Sequence, residues 1–192
     1  MTQWFNSLAV IKRGTRRGSG LMISPTELLT AAHVVAPDGT GKASALRITL
    51  FGSSRTVTPR RVAVLQAWSA AKATGSDIAL VQVAPLADLG IAPVFGVPAD
   101  HASATLEGHG FPDSTTREES MRGLVSFDPR SADEPFLFSS DITPLPGMSG
   151  GPLVAGIGGA VRVAGILAQR SNNDFIGLAL LESVLETLRS SL

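Results

Sequence analysis

The amino-acid sequence predicts an all-β fold, a sandwich or a barrel, that ends in one α-helix. Short runs rich in Val, Ile, Leu and Phe recur along the chain, six in each half, and Gly, Pro, Asp and Ser separate them. Each run is too short for a typical helix and is bounded by residues that favour turns. Short strands at such spacing are typical of sandwiches and barrels.

The strand predictions follow the chain in order. In the first half the predicted strands are 8–12, 20–23, 27–30, 46–51, 61–66 and 78–83. In the second half they are 104–108, 123–127, 136–139, 153–155, 161–168 and 176–180. The segment 85–93 between the halves has proline at both ends and a glycine inside, which suits a connector.

The last segment has the period of a helix. Its apolar residues recur in steps of three and four, with charged residues on the other side: Leu181, Val184, Leu185, Leu188 and Leu192. This pattern predicts an amphipathic helix over 181–192 whose apolar face packs against the β-structure.

Composition excludes several classes of protein. The 192 residues are 17% charged and 44% apolar, so the chain is neither a disordered nor a membrane protein. Its formal net charge of zero argues against a nucleic-acid binder. We expect the basic cluster Arg13, Arg16 and Arg17 to lie in a solvated turn.

The chain has no cysteine, so disulfides and thiolate chemistry are excluded. The apolar run 8–11 near the start is too short for a signal-peptide core, and no charged leader precedes it. These observations predict a cytoplasmic protein, although a chain whose leader has been removed would have the same sequence.

Three motifs carry residues suited to nucleophilic catalysis. They are T-A-A-H ending at His33, D-I-A-L beginning at Asp77 and G-M-S-G-G-P around Ser149. A serine hydroxyl is a poor nucleophile at neutral pH and needs a base and an oxyanion hole. The glycines around Ser149 allow a tight turn in which the N–H groups of Gly147 and Ser149 converge on one point.

The order of the motifs separates three interpretations. An α/β-hydrolase places its acid and histidine after the serine, but His33, His101 and His109 all precede Ser149. The order Asp, His, Ser of subtilisin-type enzymes fails for His33, which no Asp precedes. For His101 or His109 that order survives, but the chain lacks the alternating helices that the fold needs. The order His, Asp, Ser remains.

Taken together, the three motifs resemble the signatures of the trypsin-like peptidase family, and its bacterial HtrA-like branch more than the digestive enzymes. The resemblance extends from about residue 18 to about residue 179. It implies one peptidase domain, 1–192, with two perpendicular, six-stranded antiparallel β-barrels and the active site between them. The N-terminal barrel would cover about 1–90, the C-terminal barrel about 91–180 and the helix 181–192.

The resemblance also implies a serine endopeptidase with a His33, Asp77 and Ser149 triad. Ser149 would attack the scissile carbonyl, His33 would transfer protons, and Asp77 would orient the imidazole. The backbone N–H groups of Gly147 and Ser149 would bind the oxyanion. Met148 stands where the digestive enzymes have an aspartate that pairs with a newly cut N-terminus, so we expect no activation by N-terminal cleavage.

By the same resemblance, Thr143 would lie at the base of the primary specificity pocket. Because Thr143 is not an acid, a preference for Lys or Arg is not expected, and small or medium apolar residues are predicted before the cut. Ala168, Gln169 and Arg170 would form the edge that pairs with the substrate backbone. Arg170 offers an alternative preference for acidic residues.

No cofactor or metal is predicted. His101 and His109 lie in no H-E-x-x-H motif and are expected to be structural. The expected partner is a protein or peptide substrate, with no nucleic acid and no membrane, and a regulatory partner protein is a further expectation. The sequence leaves the oligomeric state open. The alternative is a catalytically silent or partner-activated peptide-binding protein with the same fold.

Overall fold

The computed structural model consists of two antiparallel β-structures with a helix at the C-terminal end. It describes residues 3–87, 89, 103–115, 117–128, 136–139, 141–157, 160–171 and 174–192. The all-β fold class with a C-terminal helix is therefore confirmed. The predicted connector, 85–93, falls mostly outside the described residues, as does the predicted division between the two halves.

The first β-structure is a seven-stranded antiparallel sheet with the strand order β5-β4-β1-β2-β3-β7-β6. Its strands are β1 Leu8–Arg13, β2 Arg16–Ser24, β3 Glu27–Thr30, β4 Arg47–Leu50, β5 Thr56–Val57, β6 Pro59–Val64 and β7 Ala79–Val83. It has one strand more than the six predicted, because the two-residue β5 pairs with Ile48 and Thr49 of β4. A strand of two residues leaves no periodic pattern in the sequence.

The second β-structure is a closed six-stranded barrel with the order β10-β13-β12-β11-β8-β9. Its strands are β8 Ser103–Gly110, β9 Glu119–Asp128, β10 Phe136–Ser139, β11 Pro152–Ile157, β12 Ala160–Ser171 and β13 Asp174–Ala179. Because β9 pairs with β10, the ring is closed, and each strand has a hydrogen-bonded neighbour on both sides over part of its length.

Helices are short in the described part of the chain: α1 Ala32–Val35, α2 Gln66–Ala71 and α3 Glu182–Ser190, besides 3-10 turns at Gln3–Ser7, Ala43–Ala45 and Thr74–Ser76. The strand predicted over 61–66 is wrong at its end, because Gln66 begins α2. That helix stops at Lys72, whose left-handed backbone (φ 53°) cannot continue it. None of these helices has the length and hydropathy needed to span a bilayer.

The C-terminal helix α3 packs as its apolar period predicts. Leu185 and Leu188 are buried in the core that also contains the first sheet. On the exposed side, Arg189 donates two hydrogen bonds to Glu27 of β3, with N···O distances of 2.9 and 2.8 Å. Arg189 lowers the pKa of Glu27 through this pair. The helix thus contacts the first sheet through both apolar packing and an ion pair.

Candidate active site

His33 lies in α1, three residues after the end of strand β3. Strand β3 ends at Thr30, Ala31 is still extended (φ −78°, ψ 141°), and the helix then turns for four residues. The apolar neighbours Ala32, Val34 and Val35 are buried, whereas the His33 side chain is 33% exposed. The buried neighbours therefore fix the helix, and the imidazole stays accessible.

Asp77 contacts His33 at two points. Its Oδ2 lies 2.7 Å from His33 Nδ1, and its Oδ1 accepts the His33 backbone N–H at 2.8 Å. The Asp77 side chain is only 3% exposed and follows the 3-10 turn 74–76 at the entrance to β7. Because a carboxylate only accepts, Nδ1 must donate, which leaves Nε2 of a neutral imidazole as the proton acceptor.

Ser149 lies beside β2 of the first sheet. Its carbonyl accepts a 2.7 Å hydrogen bond from the backbone N–H of Ser19 in β2. The next residue, Gly150, has φ 84°, and a side chain there would collide with Thr30 and Ala31. Only glycine allows this close approach, which brings the serine loop against the residues that precede His33.

Among the described residues, no hydrogen bond joins Ser149 Oγ to His33. A serine–histidine contact of this kind is often long without substrate and shortens in the substrate complex. The Asp77–His33 half of the predicted triad is thus hydrogen-bonded, and the Ser149–His33 half is not.

The loop before Ser149 contains a tight turn from Leu145 to Met148. Met148 N–H donates to the Leu145 carbonyl at 3.1 Å, Pro146 precedes the central glycine, and Gly147 has φ 95°. Proline followed by a residue with positive φ is the pattern of a type II turn. The fixed φ of Pro146 therefore restricts the backbone that carries the two predicted oxyanion donors.

The two predicted oxyanion donors lie in peptides whose carbonyls accept hydrogen bonds, and these bonds set the direction of the N–H groups. Asp113 N–H donates to the Pro146 carbonyl at 2.7 Å, and Gly151 N–H donates to the Met148 carbonyl at 3.0 Å. In a trans peptide the N–H points opposite to the carbonyl. The N–H groups of Gly147 and Ser149 consequently point away from these contacts, and neither donates to an acceptor in the described part of the chain.

Met148 anchors the same loop from inside. Its side chain is fully buried in the apolar cluster of the second barrel, together with Leu106, Ile142, Leu153 and Leu167. A carboxylate at this position would have no water and would be surrounded by apolar side chains. That activation needs no N-terminal cleavage stays a prediction.

The predicted substrate-binding residues lie on two segments. Thr143 is half-buried in the segment before the turn, and Ala168 is buried in β12. Strand β12 pairs with β11 only up to Ile166, whereas Gln169 and Arg170 pair with β13. Among the described strands, the other edge of 168–170 is therefore unpaired, and its pairing with substrate stays a prediction.

His109 is a buried histidine with a carboxylate partner. It is 1% exposed, and its Nδ1 lies 2.6 Å from Glu118 Oε1. Trp4 and Phe5 pack edge-on against the ring, with centroids 5.0 and 5.3 Å away. His101 lies outside the described residues. Within the described ranges, no three His, Asp or Glu side chains are grouped to hold a metal ion.

Near the site, the sequence-based interpretation is wrong for Arg17 and does not include Ser19. Arg17 is not in a solvated turn: it is half-buried, and its Nη1 donates to the Thr115 carbonyl at 2.8 Å. Ser19 is fully buried and hydrogen-bonded to the loop of Ser149. Both contacts join residues about a hundred positions apart or more, so no local pattern could predict them.

The comparison with family models agrees with the position of the three motifs. The model of the trypsin-like peptidase domain matches residues 18–166, which include His33, Asp77 and Ser149. The chain belongs to the trypsin-like peptidase family. Members of this family are peptidases, so the coarse activity follows from membership. A comparison with curated protein sequences gave no match.

Solved structures show the trypsin-like fold along nearly the whole chain. A Glu endopeptidase in complex with MPD has a TM-score of 0.77 and 17% identity, covering 97% of this chain and 90% of that chain. The protease Anisep from Arthrobacter nicotinovorans has a TM-score of 0.75 and 16% identity, covering 96% and 94%. The thermostable serine protease AL20 from an extremophile has 0.73 and 12%, covering 96% and 95%. Resemblance to the HtrA-like branch stays a prediction.

Proposed function

We propose that this trypsin-like peptidase is a serine endopeptidase that uses His33, Asp77 and Ser149 through an acyl-enzyme. The observation that carries the proposal is the double contact of Asp77 with His33, 2.7 Å to Nδ1 and 2.8 Å to the backbone N–H. Two bonds to one buried carboxylate fix both the tautomer and the orientation of the imidazole, and a purely structural histidine does not need both.

In the proposed reaction, Ser149 Oγ forms a bond to the scissile carbonyl carbon while His33 Nε2 takes its proton. The resulting oxyanion accepts hydrogen bonds from the N–H groups of Gly147 and Ser149. The C–N bond then breaks, and His33 gives its proton to the leaving amine. Water attacks the acyl-enzyme, His33 takes and returns a proton in the same way, and the new carboxylic acid leaves Ser149 free.

We further propose that the enzyme cuts after small or medium apolar residues. The substrate backbone would pair with the unpaired edge at 168–170, while Thr143 gives the pocket base a hydroxyl rather than a charge. A profile of cleaved peptides from a mixed library tests this preference. Cleavage mainly after Lys or Arg would contradict it. Cleavage mainly after Glu would favour the alternative role of Arg170, and one similar structure is a Glu endopeptidase.

Covalent labelling with a fluorophosphonate probe tests the central proposal. Intact mass and peptide mapping are expected to show one adduct on Ser149 of the wild type. The variants Ser149→Ala and His33→Ala are expected to give no adduct and no peptide cleavage while their circular dichroism matches that of the wild type. Cleavage by either purified variant at the wild-type rate would contradict the triad.

A second candidate is a silent or partner-activated peptide-binding protein. The observation that favours it is that no hydrogen bond joins Ser149 Oγ to His33 in the described residues. Folded wild-type protein that binds peptides but gives no adduct on Ser149 would support this candidate. The adduct itself separates the two functions.

A further inference from the structure

Ser19 of β2 makes four hydrogen bonds, three to the loops of the second barrel and one to β3 of its own sheet. Its backbone N–H donates to the Ser149 carbonyl at 2.7 Å. Its hydroxyl donates to the Gly147 carbonyl at 2.9 Å and accepts the Phe111 backbone N–H at 2.8 Å. Its carbonyl accepts from Thr30 Oγ1 at 2.7 Å. The side chain is fully buried, so water cannot replace these partners.

We propose that Ser19 is a positioning residue for the oxyanion hole, an inference that rests on the proposed peptidase function. Its hydroxyl would hold the peptide between Gly147 and Met148, and through Phe111 it would support the neighbouring peptide, whose Gly147 N–H points towards the substrate. Ser19 does not touch the reacting atoms in this role. It acts through Gly147 and through the backbone of Phe111.

The orientation of the backbone at Gly147 depends on hydrogen bonds. A glycine with φ 95° has no side chain that restricts its backbone, so hydrogen bonds must define the orientation of its two peptides. The peptide before Gly147 is held through the Pro146 carbonyl by Asp113, and the peptide after it is held through the Gly147 carbonyl by Ser19. Loss of either contact frees one side of the turn.

Ser19 also supports the first of these contacts indirectly. It binds the Phe111 N–H, and Phe111 is two residues before Asp113, whose N–H holds Pro146. Pro112 between them restricts the backbone, so the position of Phe111 is passed on to Asp113. Both hydrogen bonds that fix the turn therefore depend on one hydroxyl that donates and accepts at once. Alanine can do neither.

The test compares Ser19→Ala with Ser19→Thr, which keeps a hydroxyl, in steady-state peptide cleavage. We expect Ser19→Ala to lower kcat about 10- to 100-fold, somewhat less than removal of a whole oxyanion donor. KM should stay within about twofold, because the oxyanion contact forms fully only in the transition state. Ser19→Thr should restore kcat to within about fivefold of the wild type, since its hydroxyl can make both bonds.

Inhibitors give a second measurement that a general loss of stability would not change. A peptide boronic acid forms a tetrahedral anion on Ser149, whereas the cleaved peptide product forms none. Ser19→Ala should weaken boronate binding about 10- to 100-fold, in line with partial loss of an oxyanion donor, and should leave product binding unchanged. Ser69→Ala, which removes a hydroxyl bond to the Gly39 carbonyl in another loop, is the matched control.

The outcomes separate the inference from the proposed function. If the wild type gives no Ser149 adduct, the peptidase proposal fails. If the wild type is active and folded Ser19→Ala keeps kcat and boronate affinity within about twofold, the positioning role of Ser19 is overturned. If Ser19→Ala does not fold, Ser19→Cys replaces it, since its thiol is a weak donor and acceptor. Its kcat should then lie clearly below that of Ser19→Thr, and equal values would overturn the inference.

Discussion

Asp77 holds His33 by both of its carboxylate oxygens, one on the imidazole Nδ1 at 2.7 Å and one on the backbone N–H at 2.8 Å. The ring and the short helix that carries it are therefore fixed by the same buried group. A carboxylate is the only common side chain that can accept both hydrogens at this distance, because an amide has one acceptor and one donor end.

Replacement of Asp77 by asparagine tests this relationship. If the amide oxygen accepts the backbone N–H of His33, its NH₂ group faces Nδ1 and favours the tautomer with the proton on Nε2. His33 then cannot take the proton of Ser149, and kcat should fall about 10⁴-fold, with the fold preserved. Peptide cleavage and circular dichroism measure the two effects. The exposed Asp38→Asn serves as the control, and an equal loss in both variants would contradict the tautomer argument.

Met148 offers a test of how the loop is anchored. Its side chain is fully buried among apolar residues, so Met148→Asp places a charge where the neighbours that the structure describes are apolar. We expect a loss of several kcal/mol in the free energy of unfolding, whereas Met148→Leu should cost less than about 1.5 kcal/mol.

The stability control for this test is Leu145→Asp in the same loop. Leu145 is 40% exposed, so its change in unfolding free energy should stay within about 0.5 kcal/mol. Urea unfolding at pH 7 measures all three variants. Met148→Asp as stable as the wild type would indicate that an acid finds a partner at this position.

The ion pair of Arg189 with Glu27 should make the docking of α3 depend on pH. The bond to Arg189 lowers the pKa of Glu27 below its ordinary value of 4.5. Its stabilisation is thus fully present above that value and is lost as the pH falls through the lowered pKa. Arg189→Gln should cost about 0.5–1 kcal/mol at pH 7, or roughly 1–4 °C in Tm for a domain of this size.

Calorimetry at pH 7 and at the lowest pH of cooperative unfolding measures this effect. The difference in Tm between Arg189→Gln and the wild type should shrink in acid, because protonated Glu27 no longer attracts the guanidinium. The exposed Arg60→Gln, on β6, controls for the loss of one positive charge. A Tm difference that is equal at both pH values would show that the pair adds nothing to stability.

Much of the fold could be predicted because its signals are local. The strands 27–30 and 136–139 are predicted with the bounds that the structure has, since turn residues directly precede each short apolar run. The contact of His33 with Asp77 could be predicted only from the order of the motifs, because 44 positions separate the two residues. Helix α1 was not predicted, since four residues are too few to show a helical period.

The support around the candidate site could not be predicted for a different reason. Ser19 and Arg17 bind backbone atoms of distant residues. Every residue has a carbonyl and all but proline have an N–H, so the sequence does not mark which of them is bonded. The predicted strand 20–23 begins just after Ser19, and the partners of the Ser19 hydroxyl, Gly147 and Phe111, lie 128 and 92 positions away. Such contacts depend on how the two β-structures meet, which short-range patterns do not contain.

The distances in sequence between Ser19 and its partners also have a consequence for biosynthesis. The first sheet leaves the ribosome with His33 and Asp77 but without Ser149, the proposed nucleophile. The Ser19 bond to Gly147 forms only after the loop that carries Gly147 has been made. Contacts of this separation form late and slowly. If the proposed triad is the cutting centre, the nascent chain is safe from it until the second barrel has been made.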